Sequence, residues 1–219
     1  WVMSTTKTAP GVKSFGPVED LKIAGQKKMD EFAAVQGIKA PRIEIDPMFT
    51  LKEAEDAAEA QVRAMRDYEG LRQKYLDKYA VKDAQGAARQ IYLNTDEWRE
   101  LAFPDLNKGF NAEVIHAGAS ILNNRLLGEA LISQAGKGNN TILVIAGGAG
   151  SGKTSVTKDL LGGLYDQYPI VLDQVSENAT KLKSKIETLK DAGYKIDYAF
   201  IDRDPKEAFL EGVVSRAEK

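Results

Sequence analysis

Apolar and polar positions change rhythm along this chain, and the change divides it. From Ser4 to about Pro47 the sequence is polar and punctuated by Pro10, Gly11, Gly16, Pro17, Gly37, Pro41 and Pro47. Only Val18 to Val35 carries a helical pattern there, so residues 1–48 read as a leader or arm. Thr50-Leu51-Lys52-Glu53 then has the form of a capping box and opens a long helical pattern. Leu51, Ala54, Ala58, Val62, Met65, Leu71, Tyr75 and Tyr79 form one stripe, which must pack on the core or on a partner, the core being preferred. Residues 49–86 therefore form a helical accessory segment. After Gly86 short β-branched runs alternate with helical ones. Strands are predicted at Ile91–Leu93, Thr141–Ala146, Ile170–Leu172 ending at Asp173, and Ile196–Ile201. Helices are predicted from Thr95, over Ala112–Ala135, Ser155–Leu161 and Ser176–Ala192, and from Asp204, with Pro205 at the first helical position and Glu207 completing the box. Residues 87–219 thus form an α/β core with a mainly parallel sheet, right-handed crossovers and ligands gathered at the carboxyl ends of the strands.

One run at such an end carries chemistry. Gly147-Gly148-Ala149-Gly150-Ser151-Gly152-Lys153-Thr154 fits G-x-x-x-x-G-K-[ST], a match expected by accident in only about one chain of this length in a hundred. The glycines let successive N–H groups turn inward around phosphates, where a Cβ would clash. Lys153 is then a point charge beside the β- and γ-phosphates, the Thr154 hydroxyl ligates Mg²⁺, and Ser155 continues the phosphate-binding run into the helix. A strand before the loop and a helix after it supply the required order. The pattern predicts a three-layer P-loop fold that binds a nucleoside triphosphate and Mg²⁺.

Composition narrows the class. A formal charge of −2 argues against a general nucleic-acid binder, and no stretch is apolar enough to span a membrane. The chain has no cysteine, which removes thiol catalysis and suits a reducing compartment: a cytoplasm, or a target cytoplasm reached by export. In Trp1-Val2-Met3, either Met3 is a natural start or the chain is an excised piece. There is no N-K-x-D motif for guanine and no apolar strand ending in an acidic pair, so isolated carboxylates at strand ends are left to work with the glycine loop. That combination suits a compact kinase, in which one carboxylate accepts the proton of a substrate hydroxyl.

Tyr92-Leu93-Asn94-Thr95-Asp96-Glu97-Trp98-Arg99 with Pro104 and Glu129–Ser133, and Ile170–Asp173 with Asp191–Lys195 and Ala208–Arg216, resemble segments of the zeta-toxin-type kinases. The resemblance covers about residues 90–219, with the N-x-D-x-x-R segment before the glycine loop instead of after it. That order implies a circular permutation, in which the strand of Tyr92 returns to a place beside the glycine-loop strand. The family continues past the equivalent of Lys219 into a lid carrying a further arginine, so the resemblance also implies a chain truncated before the lid, or an N-terminal arm in its place. It implies transfer of the ATP γ-phosphate to a hydroxyl of a nucleotide sugar such as UDP-N-acetylglucosamine, or of NAD as in related effectors, with an antitoxin or chaperone as a possible protein partner.

Carried over residue by residue, the resemblance makes Asp96 the general base, Asp173 a holder of substrate or Mg²⁺, and Arg216 the neutraliser of phosphate charge. Arg99, His116 and Ser120 are candidate substrate contacts; Asp96 and Thr95 also suit a helix N-cap, and His116, the single histidine, also suits packing or capping. Two other readings stay open: a nucleotide-binding module that docks a partner through the Leu51–Tyr79 stripe, and a hydrolase with water as acceptor.

Overall fold

The structure, a computed structural model, describes residues 16–106, 112–135, 138, 140–147, 153, 156, 159, 161–175 and 179–202. The helix expected from Asp204 and its Arg216 lie outside them, as do Gly148, Ala149, Gly150, Ser151, Gly152, Thr154 and Ser155.

The described elements are α1 (Pro17–Val35), α2 (Leu51–Arg66), α3 (Tyr68–Tyr79), β1 (Ala80–Lys82), β2 (Ala88–Asn94), α4 (Thr95–Ala102), α5 (Ala112–Gln134), β3 (Thr141–Gly147), β4 (Ile170–Val175), α6 (Ala179–Asp191) and β5 (Lys195–Ile201). Among the described residues the sheet is five-stranded, in the order β1-β2-β4-β3-β5. β2, β4, β3 and β5 run parallel, and β1, which the sequence pattern does not announce, pairs antiparallel with β2. The chain is an α/β fold with a mixed, mostly parallel sheet. β4 lies between β2 and β3, so the strand of Tyr92 is not beside the glycine-loop strand as expected. β4 also runs on past Asp173 to Val175.

Strand alternation sorts the core into two layers. Ile91, Leu93, Ile142, Val144, Ile170 and Leu172 face one side and pack with α5 and the helices behind it. Leu143, Ile145 and Val171 face the other, beneath Leu161 and Tyr165. Gln90, buried on β2, donates to the Tyr165 and Tyr168 carbonyls at 2.7 and 3.0 Å and ties the strand to the turn of residues 162–167. Past α6, Gly193 takes φ +87°, where a side chain would be strained, and turns the chain into β5.

The capping box at Thr50 forms: its hydroxyl accepts from Glu53 N–H at 3.3 Å, and Glu53 accepts from Thr50 N–H at 2.8 Å. The helix it opens is broken at Asp67, so the single long helix of the sequence pattern is α2 followed by α3. No glycine or proline marks the break; Asp67 leaves helical geometry at φ −101°, ψ 11°. α2 is buried on two sides. Ala57, Ala60 and Ala64 meet the α5 core, while Val62 and Met65 meet Met29 and Ala33 of α1. Most of the Leu51–Tyr79 stripe is consequently spent inside the molecule: Ala54, Ala58, Val62, Met65, Leu71 and Tyr75 are buried, Tyr79 is half-buried and Leu51 is exposed. The seam is tight at Gly118 of α5, where an added Cβ would stand 2.9 Å from the Ala60 carbonyl oxygen and 3.0 Å from the Phe103 ring. Among the described residues no helix is long and apolar enough to cross a membrane.

Candidate active site at the carboxyl edge of the sheet

Register places the relevant side chains in one row. Asn94 of β2 is level with Asp173 of β4, and Asp173 with Ile145 of β3. Because side chains alternate, Tyr92, Asn94, Asp173 and Gly147 belong to the same face, the one under Leu161 and Tyr165. Lys153, in helical conformation after the glycine run, returns over that edge and donates from Nζ to the Gly147 carbonyl at 3.3 Å.

Asp173 is the most enclosed carboxylate here, 5% exposed. Its Oδ2 accepts from the Tyr92 hydroxyl at 2.5 Å and from Asn94 Nδ2 at 3.3 Å. Burial pushes its carboxyl above the usual aspartate range, and the negative charge of Asp96 adds to that; the Tyr92 and Asn94 hydrogen bonds and the charge of Lys153 pull the other way. Desolvation prevails. The three groups are thus electrostatically coupled: a buried acid, a cation over the edge and a second carboxylate nearby.

Asp96 sits in the first turn of α4, with its side chain 57% exposed. Asn94, not Thr95 or Asp96, caps that helix, its Oδ1 accepting from Asp96 N–H at 2.7 Å. The Asp96 carboxylate is therefore not consumed by capping. Arg99, three residues on, donates to Asp96 Oδ1 at 2.7 Å, and its Nε is buried with no partner among the described residues. Behind them Trp98 is fully buried and stacks on Tyr75 with ring centroids 3.9 Å apart and planes at 11°, anchoring α4 to α3.

A scan against protein-family models returns no match, and a search of curated proteins returns none.

The structure thus brings together Asp96, Arg99, Lys153, Asp173 and Gly147. It sets His116 apart: that side chain is exposed near the start of α5 and lines, with Lys22, Asp46, Phe49 and Glu113, a cleft of about 500 Å³ to which Asp96, Asp173 and Lys153 contribute nothing. Ser120, one turn further along α5, is half-buried. Sequence reasoning missed Tyr92 and Asn94. Two signals pointed to them: Asn is a favoured cap immediately before a helix, and Tyr92 precedes it by the two residues that keep a strand side chain on the same face.

No group of three or more His, Asp or Glu able to hold a metal occurs among the described residues. A Mg²⁺ that keeps its waters and binds nucleotide phosphates needs only one or two protein oxygens, and among the described residues the Asp173 carboxylate is a donor of that hard, anionic kind.

Proposed function

We propose that this chain is an ATP-dependent kinase of the P-loop type, transferring the γ-phosphate to a hydroxyl of a small acceptor; the zeta-toxin resemblance makes that acceptor a nucleotide sugar such as UDP-N-acetylglucosamine, with NAD the alternative. The observation that carries the reading is the convergence of the motif lysine, Lys153, with Asp173 and Asp96 at the carboxyl ends of neighbouring parallel strands. A glycine-rich linker of accidental sequence gives no reason for that convergence.

Each residue then has a task. Lys153 compensates phosphate charge, Asp173 holds acceptor or metal from a rigid strand, and exposed Asp96 takes the acceptor proton as its oxygen attacks phosphorus and the bond to the ADP leaving group breaks. Arg99 steadies Asp96 from one side. Mg²⁺, when bound, neutralises charge on the phosphates.

The test is incubation with ATP, Mg²⁺ and a panel of hydroxyl metabolites including UDP-N-acetylglucosamine and NAD, read by mass spectrometry for the gain of a phosphate. The expected result is a phosphorylated acceptor whose formation falls by about 10²- to 10³-fold in Lys153→Ala. A blank panel from protein that binds ATP would overturn the transfer reading.

A further inference from the structure

Hydrogen bonds converge on Asn94 from every side. Its Nδ2 donates to Asp173 Oδ2 at 3.3 Å and to the Tyr92 hydroxyl at 3.2 Å. Its Oδ1 accepts from Asp96 N–H at 2.7 Å. The amide orientation follows from its neighbours, since the Asp96 N–H requires an oxygen and the carboxylate requires an N–H. The backbone is held as well. Asn94 N–H donates to the Tyr75 hydroxyl at 3.1 Å, and that hydroxyl donates to the Asn94 carbonyl at 3.4 Å. β1 pairs with β2 only as far as Ile91, so Tyr75 serves Asn94 where a neighbouring strand would otherwise have done so.

We infer that Asn94 is a positioning residue of the phosphoryl-transfer site, fixing both the Asp173 carboxylate and the start of the helix that carries Asp96, and that Tyr75 of α3 holds Asn94 in place; the inference rests on the kinase reading above. A plain cap would not need this residue. Asp caps as well as Asn does, yet it has no N–H₂ for Asp173. The N-terminal helices are by this account a wall of the site. Tyr75 reaches it twice, through Asn94 and through the ring of Trp98.

Asn94→Asp separates the two roles, because it keeps the cap and sets an acceptor against Asp173. Transfer kinetics should show kcat reduced about 10- to 100-fold at neutral pH, with KM for ATP little changed. The acid limb of the pH–rate profile should also move to higher pH, since carboxylates at 94 and 173 share a proton beside Tyr92, Asp96 and Lys153. Tyr75→Phe, which deletes one oxygen from a packed aromatic cluster, should lower kcat in the same direction by a smaller factor, with circular dichroism unchanged, and it carries the test if Asn94→Asp does not fold. Wild-type kcat in both variants, with an unshifted profile in Asn94→Asp, would overturn the inference. Carbon-13 NMR titration of the Asp173 carboxyl reads the clamp without turnover: an upward shift in Asn94→Asp is expected, and an identical titration overturns it. If the wild type transfers no phosphate while that shift appears, the kinase reading fails and the clamp stands.

Discussion

The seam between α1, α2 and α5 and the carboxyl edge of β2, β3 and β4 both bury side chains, but of different kinds. At the seam, the side chains of Met29, Ala33, Val62 and Met65 meet in apolar contact, Gln36 donates to the Met65 carbonyl at 3.2 Å, and the alanines of α2 let the helices approach until a Cβ at Gly118 would stand 2.9 Å from the Ala60 carbonyl oxygen. On its flank toward α3, Arg72 Nε donates to Glu129 at 2.6 Å and Arg125 lies 3.6 Å over the Tyr68 ring, while Asn123 Oδ1 of α5 is buried without a partner among the described residues. At the carboxyl edge a carboxylate is buried against its preference, a lysine bends back to the end of the glycine-loop strand, and the Trp98 and Arg99 ring and guanidinium N–H groups lack partners among the described residues. On the proposed function, burial there serves the reaction and not stability. Polar groups held in an unfavourable environment by a rigid frame are what a reaction site requires, and the seam supplies part of the frame.

The comparison can be broken in several places. The largest effect should come from Asp96→Asn, which removes the proton acceptor and should lower kcat by about 10²- to 10⁴-fold while thermal unfolding stays near wild type; intact turnover would remove Asp96 from the mechanism. Trp98→Ala should cost about 3–5 kcal/mol in denaturant unfolding, because it empties a fully buried site and frees α4 from Tyr75. Gly118→Ala sharpens the account of the seam. The new methyl meets backbone, not a flexible side chain, so a loss of about 1–3 kcal/mol is expected with KM unchanged; a stabilised variant would show that the helices can separate without penalty.

How much of this was legible in the sequence varies with the range of the interaction. The strands at Ile91–Leu93 and Thr141–Ala146 and the box at Thr50 are written in adjacent residues, so the pattern found them. The break at Asp67 carries no glycine or proline, and β1 is only three residues long and held by its pairing to β2, so local patterns could not place either. At the site, the lysine of the glycine motif and the strand-end carboxylates stand out by spacing. The Tyr92–Asp173 bond joins residues 81 apart, and Tyr75 reaches Asn94 from another helix, so those links exist only once the sheet order is known. The adjacency of β4 to β2 is the same kind of fact. Nothing in the order of the segments along the chain announces it.

The measurement that bears most directly on the contrast is Asp173→Asn, followed for thermal unfolding and phosphate transfer on the same preparation at neutral pH. The folded state raises the Asp173 pKa, so its stabilising contribution is present below the unfolded value and is lost as pH rises through the folded one; at neutral pH the charged carboxylate weakens the fold. Asparagine keeps an oxygen for Tyr92 and Asn94 and carries no charge. The account predicts an unfolding temperature equal to or above wild type together with collapsed transfer. A lower unfolding temperature with transfer retained would contradict it, making Asp173 a structural residue and not part of a reaction site.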